Sequence, residues 1–129
     1  MSSDETKRPV VGTFGWTDLT VPDATKVRDF YTDVVGWSFE GLSMGDYEDY
    51  VMKAADGSAV AGVCHARGSN AGLPAAWLVY VYVANLDRSL ERVRAHGGRV
   101  LHGPRDVGNG RMAVIEDPAG AAMALFEQT

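Results

Sequence analysis

The chain has 129 residues, of which 46% are hydrophobic and 22% are charged, and its formal net charge is −5. These values are typical of one globular domain, large enough to bury a core without disulfide staples. The acidic balance with scattered basic residues argues against nucleic-acid binding, and no stretch approaches the roughly 18 apolar residues of a membrane span.

Two features of the sequence bear on the location of the protein: its cysteine content and its N-terminal residues. Cys64 is the one cysteine, so no intramolecular disulfide forms, and no signal-peptide pattern opens the sequence. We therefore expect a cytoplasmic protein. Residues 1–9 are polar and charged and are expected to be a disordered or frayed arm before a single domain over 10–129.

The first half of the chain predicts a strand, a helix and three further strands. Gly12–Val21 alternates in the manner of a strand, Pro22 and Asp23 open a helix, and Gly36 ends it. Strands are predicted near Trp37–Leu42, Tyr47–Ala54 and Ala59–His65, with Asp56-Gly57 as a tight hairpin turn.

The second half repeats this order after a Gly/Ser/Asn/Pro-rich linker at 67–74. Trp77–Val83 predicts a strand, Asn85 a helix N-cap, and Gly97-Gly98 the helix end. Strands are then predicted at Arg99–His102, Arg111–Glu116 and Ala121–Glu127. The offset between matching landmarks is nearly constant, with 83 − 21 = 62, 97 − 36 = 61 and 117 − 56 = 61. The sequence therefore predicts an internal duplication, with module one at 10–66 and module two at 75–129.

Two β-α-β-β-β modules predict an α+β fold. We expect a curved, mixed or antiparallel eight-stranded sheet around a cleft, with the helices on the outer face. The alternative is that the concave face packs a dimer interface.

Three stretches carry a family resemblance: "FGWTDLTVPDATKVRDFYTDVVGW", "WLVYVYVANLDRSLERVRAHGGRVL" and "GRMAVIEDPAGAAMALFE". Together they resemble the vicinal oxygen chelate superfamily, which includes glyoxalases, bleomycin-resistance proteins and extradiol dioxygenases. The chain is most similar to its "hydroxylase" or antigen-like group, which tends to carry tryptophan at the positions of Trp16 and Trp77.

The resemblance implies three metal-ligand positions, and they fall on Trp16, Leu78 and Ala124. None of these side chains offers a lone pair to a metal ion. A fourth family position leaves only Cys64 or His65, so we expect no metal and no cofactor.

The predicted cleft instead carries aromatic and apolar side chains suited to a small, flat or partly apolar molecule. The candidate ligand-binding residues are Trp16, Asp18, Tyr50, Met52, Leu78, Tyr80, Tyr82, Arg111, Ala124 and Phe126.

Asp18 is also the candidate catalytic residue, because an acid in a desolvated cleft can act as a general base. The alternative is that it caps a loop or pairs with Arg111, which is itself either a ligand contact or a solvated strand-end residue. Surface roles are expected for His65, His96 and His102.

Three functional hypotheses follow. The preferred one is a metal-free protein that sequesters a small, partly aromatic molecule in its concave cleft. The second is a lyase, isomerase or oxygenase-type enzyme that uses Asp18 or a cleft tyrosine as acid/base, or an unconventional metal site with His65 and Asp18. The third is a structural or interaction role. The resemblance also implies a possible homodimer.

Overall fold

The computed structural model describes residues 9–129, and the expected arm at residues 1–8 lies outside this part. Eight strands and two helices follow the chain in the order β-α-β-β-β twice, which confirms the α+β class. Their bounds are β1 Phe14–Val21, α1 Ala24–Val35, β2 Ser38–Ser43, β3 Glu48–Lys53, β4 Ala59–His65, β5 Trp77–Tyr82, α2 Leu86–Ala95, β6 Arg99–Val107, β7 Gly110–Glu116 and β8 Ala122–Gln128. A short 3₁₀ turn, Gly68–Asn70, lies within the predicted linker.

Neither α1 nor α2 is long and apolar enough to span a membrane, and residues 9–129 contain no other α-helix.

The chain forms two compact units. One is Trp16–Leu78, and the other combines Val79–Thr129 with the described residues up to Gly15. The first unit begins six residues later and ends twelve residues later than the predicted module 10–66. The second begins four residues later than the predicted module 75–129 and also includes the segment that ends at Gly15.

Strand order is the same in both halves. The first half has the order β2-β3-β4-β1 and the second has β6-β7-β8-β5. In each half the first strand pairs in parallel with the fourth, and the other pairs are antiparallel. The two halves thus share one pattern of parallel and antiparallel strand pairs.

Helix α1 begins and ends at the residues that the sequence indicates. The Asp23 side chain accepts a hydrogen bond from the Lys26 backbone N–H at 3.1 Å, which caps the N-terminus. Gly36 has φ +85° and closes the C-terminus in the left-handed conformation that favours glycine. In the second half, the Asn85 side chain caps α2 by accepting from the Arg88 backbone N–H at 3.0 Å.

Each helix packs on one face of its own half. The core under α1 contains Ala24, Tyr50, Met52, Ala61 and Val63. The core under α2 contains Leu86, Leu90, Ala113 and Leu125. We call the sheet face opposite the helix in each half its open face.

An aromatic cluster extends the first core. The Trp77 indole N–H donates to the Tyr31 hydroxyl at 3.1 Å, and the rings of Trp37 and Trp77 meet edge to face with centroids 6.0 Å apart. Packing therefore accounts for these two tryptophans.

Candidate functional site

The open face of the first half is identified by strand register. Leu19 pairs with Val63 of the core under α1, so the alternate pair, Asp18 and Gly62, lies on the opposite face. Val51 pairs with Gly62 on that same face. The predicted candidates Trp16 and Asp18 therefore both belong to the open face of this half.

A hydrogen bond joins these two candidates. The Trp16 indole Nε1–H donates to the Asp18 Oδ1 atom at 2.6 Å, and both residues are half-buried. Asp18 also takes part in at least one further interaction. A hydrogen bond to a charged acceptor is about twice as strong as a neutral one, so the indole fixes the orientation of the carboxylate.

Gly62 makes room for this carboxylate. A Cβ atom built on Gly62 would overlap Asp18 Oδ1 and come within 3.2 Å of Asp18 Cγ. Any larger residue at this position would displace the Asp18 side chain. The glycine is therefore part of the arrangement that positions Asp18.

Cys64 lies on the same open face and is an unreactive thiol. Burial is the largest cause that raises the pKa of Cys64, and the charges of Asp18 and Asp49 raise it further. Asp49, which is 4% exposed, accepts the His65 backbone N–H at 2.8 Å. The His65 ring is directed to the Glu48 carbonyl oxygen, with Nδ1 2.8 Å from it. Burial and the neighbouring carboxylates therefore both favour the protonated thiol of Cys64, which is the less nucleophilic form.

Tyr50 and Met52 share a face, as alternation predicts, but it is the helix-packed face. Met52 has no exposed surface, and the Tyr50 hydroxyl lies 2.8 Å from the Thr25 hydroxyl of α1. The structure thus places both in the core under α1, away from Trp16 and Asp18. Leu78, which lies two residues before Tyr80 on β5, is buried as well, at 1% exposure.

The second half has its own open face. Tyr82 pairs with Phe126, Phe126 with Met112, and Met112 with Arg105 across the four strands. The adjacent row contains Tyr80, Ala124, Val114 and His102. Three of the predicted candidates for this half, Tyr80, Tyr82 and Phe126, remain half-buried, while Ala124 has no exposed surface.

Two glycines permit the aromatic part of this row. The rings of Tyr82 and Phe126 meet edge to face at 5.9 Å and 85°. A Cβ on Gly110 would come within 2.6 Å of Phe126 Cζ, and a Cβ on Gly15 would overlap the Tyr82 ring. Both rings therefore lie directly over glycine backbone.

Sequence reasoning missed a pair of polar residues, His102 and Arg105, at the β6 end of this face. The Arg105 Nε–H donates to His102 Nε2 at 2.9 Å. Burial, followed by the Arg105 charge, lowers the pKa of His102. The neutral ring that accepts at Nε2 carries its proton on Nδ1. Their relation depends on irregular pairing of β6 between His102 and Arg105, which strict alternation cannot predict.

Arg111 points toward the helix instead. It pairs with Glu127 on the helix-packed side of the sheet, and its Nη1 and Nη2 atoms each lie 3.3 Å from an Asp87 oxygen of α2. The structure therefore separates Arg111 from the open face of its own half. Its ion-pair partner is Asp87, with Asp106 at 3.9 Å, in place of the Asp18 considered from sequence.

Comparison with known proteins decides the family. The model of the Glyoxalase/Bleomycin resistance protein/Dioxygenase superfamily matches residues 13–125. The chain belongs to this superfamily. The resemblance found in the sequence is thereby confirmed.

Two relatives are identical to the chain at about a third of the aligned positions. The anthracycline biosynthesis protein DnrV of Streptomyces peucetius is 36% identical over 91% of the chain and 47% of its own length. CFP32 of Mycobacterium tuberculosis, which carries a glyoxylase name, is 34% identical over 90% of the chain and 46% of its own length. The chain thus spans about half the length of either relative.

A solved structure shows the same fold. Methylmalonyl-CoA epimerase from Mycobacterium tuberculosis aligns with a TM-score of 0.56 at 18% identity, covering 97% of the chain and 95% of the epimerase. At this identity the likeness concerns the fold alone.

The residues at the ligand positions implied by the superfamily resemblance do not fit a metal ion. The Trp16 indole nitrogen is a hydrogen-bond donor to Asp18, and Leu78 and Ala124 carry hydrocarbon side chains. Over residues 9–129, no three His, Cys, Asp or Glu side chains lie together in a way that could hold a metal. Strand register separates His65 from Asp18, because Asp18 pairs with Gly62 and His65 lies three residues further along β4, on the opposite face.

Proposed function

We propose that this member of the superfamily binds a small, partly aromatic molecule without a metal ion. The observation that carries the proposal is the row Tyr82–Phe126–Met112–Arg105 on the open face of the second half. It combines two edge-to-face rings, a polarizable thioether and a guanidinium, and such a mixture suits a flat ligand with a polar or anionic group.

The Trp16–Asp18 pair gives the open face of the first half a similar character of its own. An oriented carboxylate beside an indole ring offers an acceptor for a ligand hydroxyl or amine together with apolar contact area. Tyr50, Met52 and Arg111 have no part in the proposal, because they lie on the helix-packed faces.

The name of DnrV suggests a first probe. That relative is named for anthracycline biosynthesis. Anthracyclines contain an anthraquinone ring system. We therefore choose anthraquinone-2-carboxylate, with 2-(hydroxymethyl)anthraquinone as a neutral analogue of the same shape. Calorimetric titration of the full chain measures both dissociation constants.

We expect Phe126→Ala to weaken binding of the anthraquinone about tenfold, because an aromatic pair contributes roughly 0.5–1.5 kcal/mol beyond its buried area and about 1.4 kcal/mol is tenfold. Phe14→Ala is the matched control, since Phe14 is 70% exposed and lies outside the row. Arg105→Met should weaken the carboxylate more than its neutral analogue. Equal affinity of the Phe126 and Phe14 variants would contradict the proposed row.

Elemental analysis of the purified protein tests the metal-free part. A divalent ion at near-stoichiometric amount would overturn it, whereas a co-purified organic molecule found by native mass spectrometry would support sequestration and reveal the ligand class. A cytoplasmic location and a homodimer are further parts of the proposal, resting on the single cysteine and on the resemblance. Nucleic acid and membranes are not proposed as partners.

A second candidate function is acid/base catalysis. The observation that favours it is the orientation of the Asp18 carboxylate by the Trp16 indole, which a general base requires. In that case Asp18→Asn abolishes turnover of a bound substrate while the dissociation constant changes little. Sequestration instead predicts that no product appears with either protein.

A further inference from the structure

A groove runs beside α2, outside the open face described above. Its volume is about 540 Å³, within the range of roughly 300–1,000 Å³ that small-molecule sites occupy. All the lining residues belong to the unit that contains α2: Val11, Val83, Ala84, Asn85, Arg88, Ser89, Arg92, Val93 and Leu125. None of them is part of the Tyr82–Phe126 row.

The floor and one rim of this α2 groove are apolar. Leu125 is 7% exposed and is continuous with the core under α2, to which Val83 and Val93 also contribute. Val11, on the rim, is 60% exposed. Hydrocarbon that covers these side chains would gain about 25 cal/mol per Å² removed from water.

The opposite wall is cationic. One side of α2 and its N-cap carries polar side chains at intervals of three to four residues: Asn85, Ser89 and Arg92. Arg88 lies one turn before Arg92. Like charges at this spacing repel, and no carboxylate within residues 9–129 forms an ion pair with either arginine. Arg92 Nη2 instead contacts His96 Nε2 at 3.0 Å. An anion between the two guanidinium groups would remove their repulsion.

We propose that the α2 groove binds a small amphipathic carboxylate. The carboxylate lies between Arg88 and Arg92, where charge-assisted hydrogen bonds form, and the hydrocarbon chain covers Val11, Val83 and Leu125. This site is independent of the proposed aromatic-ligand function, because it uses the helix side of the unit and different side chains.

The test uses octanoate, with octan-1-ol as its neutral analogue, titrated into the ¹⁵N-labelled full chain. We expect octanoate to shift the backbone amide resonances of Ser89, Arg92 and Val93. The double variant R88A/R92A should weaken octanoate at least tenfold and leave octanol unchanged. Both arginines are exposed, so the variant is expected to fold.

Two matched variants separate the groove from general effects. R94A removes an exposed arginine of the same helix that does not line the groove, and it should leave octanoate affinity unchanged. V11D should weaken both octanoate and octanol. The proposal is overturned if R94A weakens octanoate as much as R88A/R92A, or if the shifts fall on Tyr82 and Phe126. In the second case F126A would also weaken octanoate, which identifies the open face as the site.

Discussion

Replacement of Gly62 by alanine tests the arrangement around Asp18 directly. The added Cβ would overlap Asp18 Oδ1, so the carboxylate must rotate and leave the Trp16 indole. Loss of a hydrogen bond to a charged group lowers the free energy of unfolding by about 1.5–3 kcal/mol. Alanine in a strand regains roughly 0.5–1 kcal/mol relative to glycine. We therefore expect Gly62→Ala to destabilise the protein by about 1–2 kcal/mol.

In a double-mutant cycle with Asp18→Ala, the effect of Gly62→Ala on stability should change sign. Without the carboxylate, Gly62→Ala has nothing to displace and should stabilise the protein by roughly 0.5–1 kcal/mol. Urea unfolding followed by tryptophan fluorescence measures all four proteins. The Trp16 indole N–H resonance supplies a second readout, since it should move in Gly62→Ala.

Gly41→Ala is the matched control in the same half. Its Cβ would approach the Glu48 carboxylate at 2.7 Å, but Glu48 is an exposed, flexible side chain that can move into solvent. We expect little loss of stability from that variant. An equal loss from Gly62→Ala in the presence and absence of Asp18 would refute the proposed contact.

Four further outcomes are expected. Met52→Ala should lower the free energy of unfolding by about 2–5 kcal/mol in urea titrations, because Met52 is fully buried under α1. Arg111→Ala should leave anthraquinone-2-carboxylate affinity within about twofold by calorimetry, since that arginine pairs with Asp87 on the helix side; a large loss would contradict this placement. Because the pKa of His102 is lowered in the folded protein, the unfolded chain binds a proton at His102 more readily than the folded chain does. The free energy of unfolding should therefore decrease as the pH falls below 6.5. Thermal midpoints between pH 7 and 5 should fall more in the wild type than in His102→Gln. The raised pKa of Cys64 predicts that a disulfide reagent at pH 8 reacts at least about tenfold faster in urea than in the native state, and equal rates would disprove burial of the thiol.

Elements with local signals are predictable from the sequence. Gly36 and Asn85 mark helix ends through glycine's left-handed conformation and side-chain capping, which depend on a few neighbouring residues. The Asp56-Gly57 turn is of the same kind, and Gly57 has φ +85° there. Such signals predicted the order of all the elements.

Choice of face is not a local property. Alternation places Tyr50 and Met52 together, but only the packing of α1 decides that their face is the covered one. For Arg111 the deciding neighbour is Asp87, 24 residues away along the chain. The α+β class could thus be predicted from sequence. The faces on which Tyr50, Met52 and Arg111 lie could be assigned only from three-dimensional contacts.

Strand β6 shows a different limit. Gly103 and Pro104 indicate that the strand ends at His102, yet it continues to Val107. Its pairing with β7 shifts on both sides of His102, and proline is tolerated at such irregularities of an edge strand. The Arg105–His102 contact lies on this continuation, which is why the sequence did not reveal it.

The second compact unit combines two separate segments of the chain, and this affects how the chain can be split. The Gly12 N–H donates to the Tyr82 carbonyl at 2.8 Å, and the Tyr82 N–H donates to the Thr13 carbonyl at 3.0 Å. A cut in the 67–74 linker would leave these backbone partners of Tyr82 on the other fragment, with two polar groups to satisfy. Residues 75–129 alone should therefore lack these two backbone hydrogen bonds of Tyr82, and a peptide that contains Gly12 and Thr13 should restore them.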